Sequence, residues 1–219
     1  MRGKDLFVGA SLIVLLFLII YFWSFVFSND VISKVDTSKK ILYLTFDDGP
    51  GPYTKQVLNF LDAKQVPATF FLVGERVKEN QEIVRRMVRD GHAVGSHSFS
   101  HPFLFRNVEE EIYLGKLAVD FASGKSSTLF RAPYGFVFPW TLNKANNLGL
   151  KTVQWSCFPR DYSASSSEVI VSRVNSCLSP GAIIVLHPWN HEQSLKSLPD
   201  IVSFARSQGY EFRTLDDLN

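Results

Sequence analysis

Cysteine is nearly missing from this sequence, and so is any surplus of charge. The two cysteines, Cys157 and Cys177, each stand alone, which argues against a metal site built on thiolates. A disulfide between them would suit an external location, and two buried free thiols fit the sequence equally well. The formal net charge is only +2, with neither a basic stripe nor an acidic tail, so no nucleic-acid partner is expected. Internal repeats and low-complexity segments are also lacking, which removes solenoids and disordered linkers from consideration. Histidine is scarce, five in 219 residues, so any clustering of histidines is informative. Aromatics, in contrast, make up 14% of the chain, enough for a substantial core in one domain plus an appendage.

The appendage is N-terminal. Residues 6–27, "LFVGASLIVLLFLIIYFWSFVF", carry no charge and would span about 33 Å as a helix. Tyr21, Trp23 and Phe25 lie near one end, where interfacial aromatics gather. The run is long for a signal-peptide core and has no Ala-x-Ala-type cleavage site. The expectation is an uncleaved transmembrane anchor over 1–27, a juxtamembrane linker over 28–40 and a folded domain over 41–219. Lysines and arginines flank both sides of the apolar run, so charge does not set its orientation. A single-pass cell-membrane protein with its domain outside is expected from the function inferred below.

From Ile41 onward short apolar runs alternate with stretches of helical period. The runs are "ILYLTF", "ATFFLVG", "TLFRAP", "LKTVQWS", "GAIIVLH" and "YEFRTL". Between them lie Tyr53–Lys64, Glu82–Asp90, Val108–Ala122, Thr141–Leu148, Ser166–Cys177 and Leu195–Gln208. Several runs lack polar alternation and read as strands buried on both faces. The repetition predicts an α/β domain with mainly parallel strands, open or closed into a barrel. In such folds the site gathers at the C-terminal ends of the strands. The polar residues that follow the runs are Asp47 and Asp48, Arg131, the Asp161 region and His187, and every one is ionisable.

His97 and His101, in "VGSHSFSHP", stand four apart, a spacing that on a helical turn lets both rings grip one metal. A carboxylate is a natural third ligand, and "TFDDGP" supplies two. Neighbouring strand residues point to opposite sides, so one aspartate can bind metal while the other faces the reacting water. Arg131 would stabilise an ionised carboxylate beside it. His187 at a strand end would suit proton donation to a leaving amine, with Asp161 as the carboxylate that keeps it charged.

In their order and separations, "TFDDGP", "HSFSH", "RAPYG", "WSCFPRDY" and "IIVLH" resemble the five motifs of the polysaccharide deacetylases with a NodB-homology domain, carbohydrate esterase family 4. The resemblance covers nearly all of the chain after residue 40. It implies a distorted (β/α) barrel and a divalent metal, most often zinc, used to hydrolyse N-acetyl groups from an N-acetylated glycan such as peptidoglycan or a chitin-like chain. Position by position it implies Asp48, His97 and His101 as metal ligands and Asp47 as catalytic base, tethered by Arg131. It also implies the Tyr134 N–H as oxyanion donor and His187 as acid tuned by Asp161. Tyr134 and Trp189 are expected to line the substrate groove. Two positions depart from the family pattern: Tyr162 stands where Trp is usual, and Val185 where Leu is usual, with a wider acetyl pocket expected from the second. Rival readings are an amide hydrolase of a small or lipid-linked sugar and an inactive glycan-binding protein on a stalk. An iron oxygenase would leave Asp47, Arg131 and His187 without a task.

Overall fold

The computed structural model describes residues 30–103 and 106–217. The expected anchor over 1–27 lies outside them. Among the described residues no helix is long and apolar enough to cross a membrane. The residues from Ile32 onward form one compact unit, which holds the site.

The elements run β1 (Val31–Ile32), β2 (Ile41–Gly49), α1 (Thr54–Lys64), β3 (Thr69–Leu72), α2 (Gly74–Glu79), α3 (Gln81–Arg89), β4 (Ala93–Ser96) and α4 (Val108–Ser123). They continue with β5 (Leu129–Phe130), α5 (Pro139–Asn147), β6 (Lys151–Val153), α6 (Ser167–Cys177), β7 (Ile183–Leu186), α7 (Glu192–Ser207) and β8 (Glu211–Phe212). The strands follow the order β1-β6-β5-β4-β3-β2-β7, with β8 added to the start of β2. The ladders from β2 to β8 are parallel, as helical crossovers require. The sheet curls into a half-barrel. Its seam is drawn together by the segment after β6, where Cys157 bridges Ile184 and the Ser156 and Cys157 N–H groups both donate to the Ile183 carbonyl.

Period-2 alternation along β2 sorts the core into two layers. Leu42, Leu44 and Phe46 face the helices, joining Leu58 and Leu61 of α1, Met87 of α3 and Leu198 and Ile201 of α7. Ile41 and Tyr43 face the concave side with Phe71, Leu129, Val153 and Ile183, contributed by the other strands. Each fully buried leucine of the outer layer contributes roughly 1.5–3 kcal/mol. Farther along the concave column stand Thr45 and then Asp47, so alternation itself delivers Asp47 to the inside of the curl.

The strands and helices expected from the sequence are present, most with ends moved by one to three residues. Three elements had not been expected: β1, α2 and β4. The β4 segment "AVGS" carries little apolar signal because a larger residue cannot fit at Gly95, where a Cβ would lie 2.8 Å from the Phe71 ring. The segment expected as a linker over 28–40 is partly built into the fold. Val31–Ile32 forms β1, Lys34 pairs with Ala182, and the Val35 N–H donates to the Gly181 carbonyl at 2.9 Å. Cys157 and Cys177 form a disulfide that ties the segment after β6 to the end of α6.

Candidate active site

A cavity of about 490 Å³ opens at the C-terminal ends of the strands. Asp47 and Asp48 enter it from the end of β2, His97 and His101 from the loop after β4, and His187 from just beyond β7. Strict alternation would send Asp48 away from Asp47. Instead the β2–β3 register slips between Phe46 and Gly49, and Asp48 adopts φ +67°. This irregularity turns the second carboxylate back toward the first. Asp47 Oδ2 and Asp48 Oδ1 lie 4.0 and 3.5 Å from the same atom, His97 Nε2. His101 and Tyr134 also have positive φ, 62° and 58°. Such backbone conformations in non-glycine residues gather at functional sites.

The two histidines do not lie on a helical turn, as the spacing suggested. They sit in a loop closed by the Ser98 Oγ, which accepts the His101 N–H at 3.0 Å. Glu111 of α4 pins the same loop by accepting the Phe99 and Ser100 N–H groups at 3.0 and 2.9 Å. The helix comes this close only because residue 115 is glycine; a Cβ there would stand 2.5 Å from Ser98.

His97 Nδ1 lies 2.8 Å from the Arg131 carbonyl, which can only accept. That bond places the proton on Nδ1 and leaves the Nε2 lone pair facing the cavity. Burial lowers the His97 imidazole below its ordinary value, against the pull of Asp47 and Asp48, and so favours the neutral ring. His101 Nε2 lies 3.0 Å from Asp48 Oδ1. Burial alone would raise the Asp48 carboxyl, but contact with His101, and the positive charge that His101, His97 and His187 would carry when protonated, hold it well below the usual carboxylate range. Oδ1 is buried and has no well-aligned hydrogen bond. A carboxylate oxygen and an imidazole lone pair that face each other without a proton between them repel. A divalent cation removes that conflict, and the ligand atoms of Asp48, His97 and His101 all lie within 4.8 Å of one another.

Arg131 is fully buried and lies 4.0 Å from the Phe71 ring, with Trp155 at 5.6 Å. Its Nη1 donates to Asp47 Oδ1 at 2.6 Å and to Thr45 Oγ1 at 2.8 Å. Nη2 and Nε donate to the carbonyls of Gln154 and Val153, at 2.9 and 3.3 Å. The guanidinium therefore fixes one Asp47 oxygen and leaves the other on the cavity side.

His187 Nδ1 meets Asp161 Oδ1 at 2.8 Å, and Asp161 Oδ2 accepts the His187 N–H and the Ser194 hydroxyl, both at 2.5 Å. Burial alone would lower His187, but the hydrogen bond and charge of Asp161, with Asp47 and Asp48 behind it, push it up to about 9. Burial would raise Asp161, and the same partners outweigh it, so its carboxyl is lowered. Protonated His187 thus adds stability that is complete below about pH 6.5 and disappears as the pH rises through about 9.

The walls differ in part from the sequence expectation. Tyr134 lines the cavity, with Trp155, Phe158 and Tyr162 beside it. Tyr162 also stands edge-on to His187, at 5.7 Å between ring centroids. Trp189 is not among the lining residues; its ring lies 3.9 Å from the Arg76 guanidinium, which also donates to the Asp48 carbonyl. Val185 is fully buried beside Thr45 on the strand that leads to His187. The sequence reading missed Ser194, Phe158, Gly135 and His191. His191 stands four residues after His187, the same spacing as the first histidine pair, and that signal was available. Gly135 has φ +72° and lies so close to Trp155 that a Cβ would sit 2.5 Å from the indole.

Residues 34–153 match the polysaccharide deacetylase family, and the chain belongs to it. It is 40% identical over 162 residues to a chitooligosaccharide deacetylase of Sinorhizobium fredii, covering 71% of this chain and 75% of that protein. Its fold superposes on the Bc1960 peptidoglycan N-acetylglucosamine deacetylase with a TM-score of 0.83 and 29% identity, over 88% of this chain and 94% of the other. It also superposes on BA3943, a CE4 family pseudoenzyme from Bacillus anthracis, with a TM-score of 0.81 and 26% identity, over 87% and 69% of the two chains.

Proposed function

We propose that this protein is a divalent-metal-dependent hydrolase that removes N-acetyl groups from an N-acetylated cell-surface glycan, peptidoglycan or chitin-like, and releases acetate. The observation that carries the reading is the meeting in one cavity of three parts: the Asp48–His97–His101 cluster, the Asp47–Arg131 pair and the His187–Asp161 pair. Asp48, His97 and His101 would hold the cation, and their nitrogen and oxygen donor set suits zinc. A cation held there supplies Lewis acidity for the acetyl carbonyl and for the attacking water.

Asp47 accepts the proton of the attacking water through the oxygen not fixed by Arg131. The Tyr134 N–H donates to the oxyanion that develops on the carbonyl oxygen. His187, held protonated by Asp161, donates to the amine as the carbon–nitrogen bond breaks. Without that proton the sugar amine is a poor leaving group. The aromatic walls keep bulk water from the reacting centre.

The disulfide suits an oxidising compartment, which supports a domain outside the cell held by the apolar run of residues 6–27. An inactive glycan-binding protein is the rival reading, since similarity extends to a pseudoenzyme. The retained base and acid pairs speak against it.

The test is acetate release by the full chain in detergent from N-acetylated glycans, before chelation, after it and with zinc restored. The expected result is release that stops with chelator and returns with zinc. Stoichiometric metal binding with no release from any glycan would sink the reading. A second expectation concerns pH. The alkaline limb of kcat/KM should lie near pH 9 and should move down toward about 6.5 in Asp161→Asn. An unmoved limb would mean that His187 is not the group that must stay protonated.

A further inference from the structure

The three candidate metal ligands reach the cavity on two separate pieces of chain, Asp48 at the end of β2 and the two histidines in the loop after β4. The junction between β3 and α2 touches both. The Val73 N–H donates to the Gly49 carbonyl at 2.9 Å, and the His97 N–H donates to the Leu72 carbonyl at 2.8 Å. The first N–H groups of α2, those of Gly74 and Glu75, donate to the Ser98 and Phe99 carbonyls at 3.0 and 2.9 Å. This approach needs glycine at 74, where a Cβ would stand 2.7 Å from the Phe99 ring. Backbone makes all of these bonds, and the Arg76 side chain adds another: its Nη1 donates to the Asp48 carbonyl. The Trp189 ring covers that guanidinium at 3.9 Å. The Trp189 backbone in turn packs against the turn after Asp48, so closely that a Cβ at Gly51 would collide with its carbonyl oxygen. Arg76 and Trp189 are both half-buried.

Asp48 needs such support, because a non-glycine residue keeps a φ of +67° only where its surroundings over-determine it. We propose that Arg76 is a positioning residue for the metal centre. Its guanidinium, held against Trp189, locks the Asp48 backbone in the conformation that turns the carboxylate toward His97 and His101, and so sets the metal affinity. The inference rests on the metal-cluster reading above and adds which side chains outside the cluster make it tight. The bond goes to the carbonyl, so it leaves the Asp48 carboxylate to the cation. Arginine suits the task because a planar guanidinium can donate at its edge while its face covers an indole, and an ammonium cannot do both as well. A guanidinium already held by the ring loses little freedom when the metal arrives, which keeps the ordering cost low. Trp189 stands two residues after His187, so the same clamp ties the loop of the acid to the strand end of the ligand.

The experiment measures zinc affinity of the chelator-stripped full chain in detergent, by competition with a chromophoric chelator, beside thermal melting by circular dichroism. Arg76→Met keeps the stem, loses the donors and should bind zinc about 10–100-fold more weakly. The zinc concentration for half-maximal acetate release should rise by the same factor. Arg76→Lys keeps a charge and a donor without the planar stack, and its affinity should fall between the two. Trp189→Leu should also weaken binding. The double variant Arg76→Met/Trp189→Leu should bind no more weakly than Arg76→Met, because the ring acts through the guanidinium. Unchanged zinc affinity in Arg76→Met overturns the inference, even with a lowered melting temperature, because the clamp would then serve stability alone. If Arg76→Met does not fold, Arg76→Lys and Trp189→Leu decide, and wild-type affinity in both overturns it. Additive losses in the double variant overturn the clamp by giving Trp189 a separate role. No zinc bound by the wild type, or undiminished affinity in His97→Ala, overturns the metal-cluster reading and the inference together.

Discussion

Asp47→Asn is expected to lower kcat by about 10²–10⁴-fold while the protein stays folded and metal-loaded. The substitution keeps the shape of the side chain, and an Asn Oδ1 can still accept from Arg131 Nη1, now 2.6 Å from Asp47 Oδ1. What is lost is a group able to take a proton on the cavity side. The Asp48–His97–His101 cluster does not include Asp47, so stoichiometric zinc should persist, as read by metal analysis of the purified variant beside its acetate release. The two aspartates are neighbours in sequence and both lie close to His97 Nε2, so the experiment separates roles that distance alone leaves close. Loss of metal along with activity would make Asp47 a ligand instead of a base.

Replacement of Arg131 should have the largest effect on stability. The residue is fully buried, and its guanidinium bonds reach a carboxylate, a hydroxyl and two backbone carbonyls. Arg131→Met keeps much of the apolar stem but leaves Asp47 as a buried charge without its partner. Breaking a buried pair from one side costs about 3–5 kcal/mol. In a domain of this size the melting temperature should fall by on the order of 10 °C. The double variant Arg131→Met/Asp47→Asn should recover a substantial part of the loss, because the stranded charge is gone. Chemical denaturation of the four proteins closes the cycle. Equal instability of the single and double variants would assign the loss to the unsatisfied Val153 and Gln154 carbonyls and not to the carboxylate.

Much of the site could be read from residue types and order. The ionisable residues after the apolar runs stand at strand ends because a parallel sheet gathers its C-terminal ends on one side. That rule placed Asp47, Asp48, Arg131 and His187 together before any coordinates. Spacing also named the histidine pair, but for a partly mistaken reason. His97 and His101 converge through a Ser98 turn and Glu111, not through a helical repeat. Alternation offered only that the two aspartates point to opposite sides; the fold carries Asp47 inward along the concave column, and the register slip after Phe46 turns Asp48 back beside it.

The sequence by itself determined the chemistry: the carboxylates, imidazoles and guanidinium that a hydrolytic site requires, and the strand–helix rhythm that brings them to one rim. These are local properties of side chains and of periodicity. The tertiary structure alone decided what depends on residues distant in the chain. The curled sheet brings the segment after β6 against β7, which places Trp155, Phe158 and Tyr162 around His187 and pairs Cys157 with Cys177. It seats the Trp189 ring on the Arg76 guanidinium, whereas Tyr134 lines the cavity, although both follow strand ends in the sequence. Whether an aromatic lines a groove or packs behind it is set by which strand lies beside its own, and strand order is a property of the whole sheet that no short stretch of sequence contains.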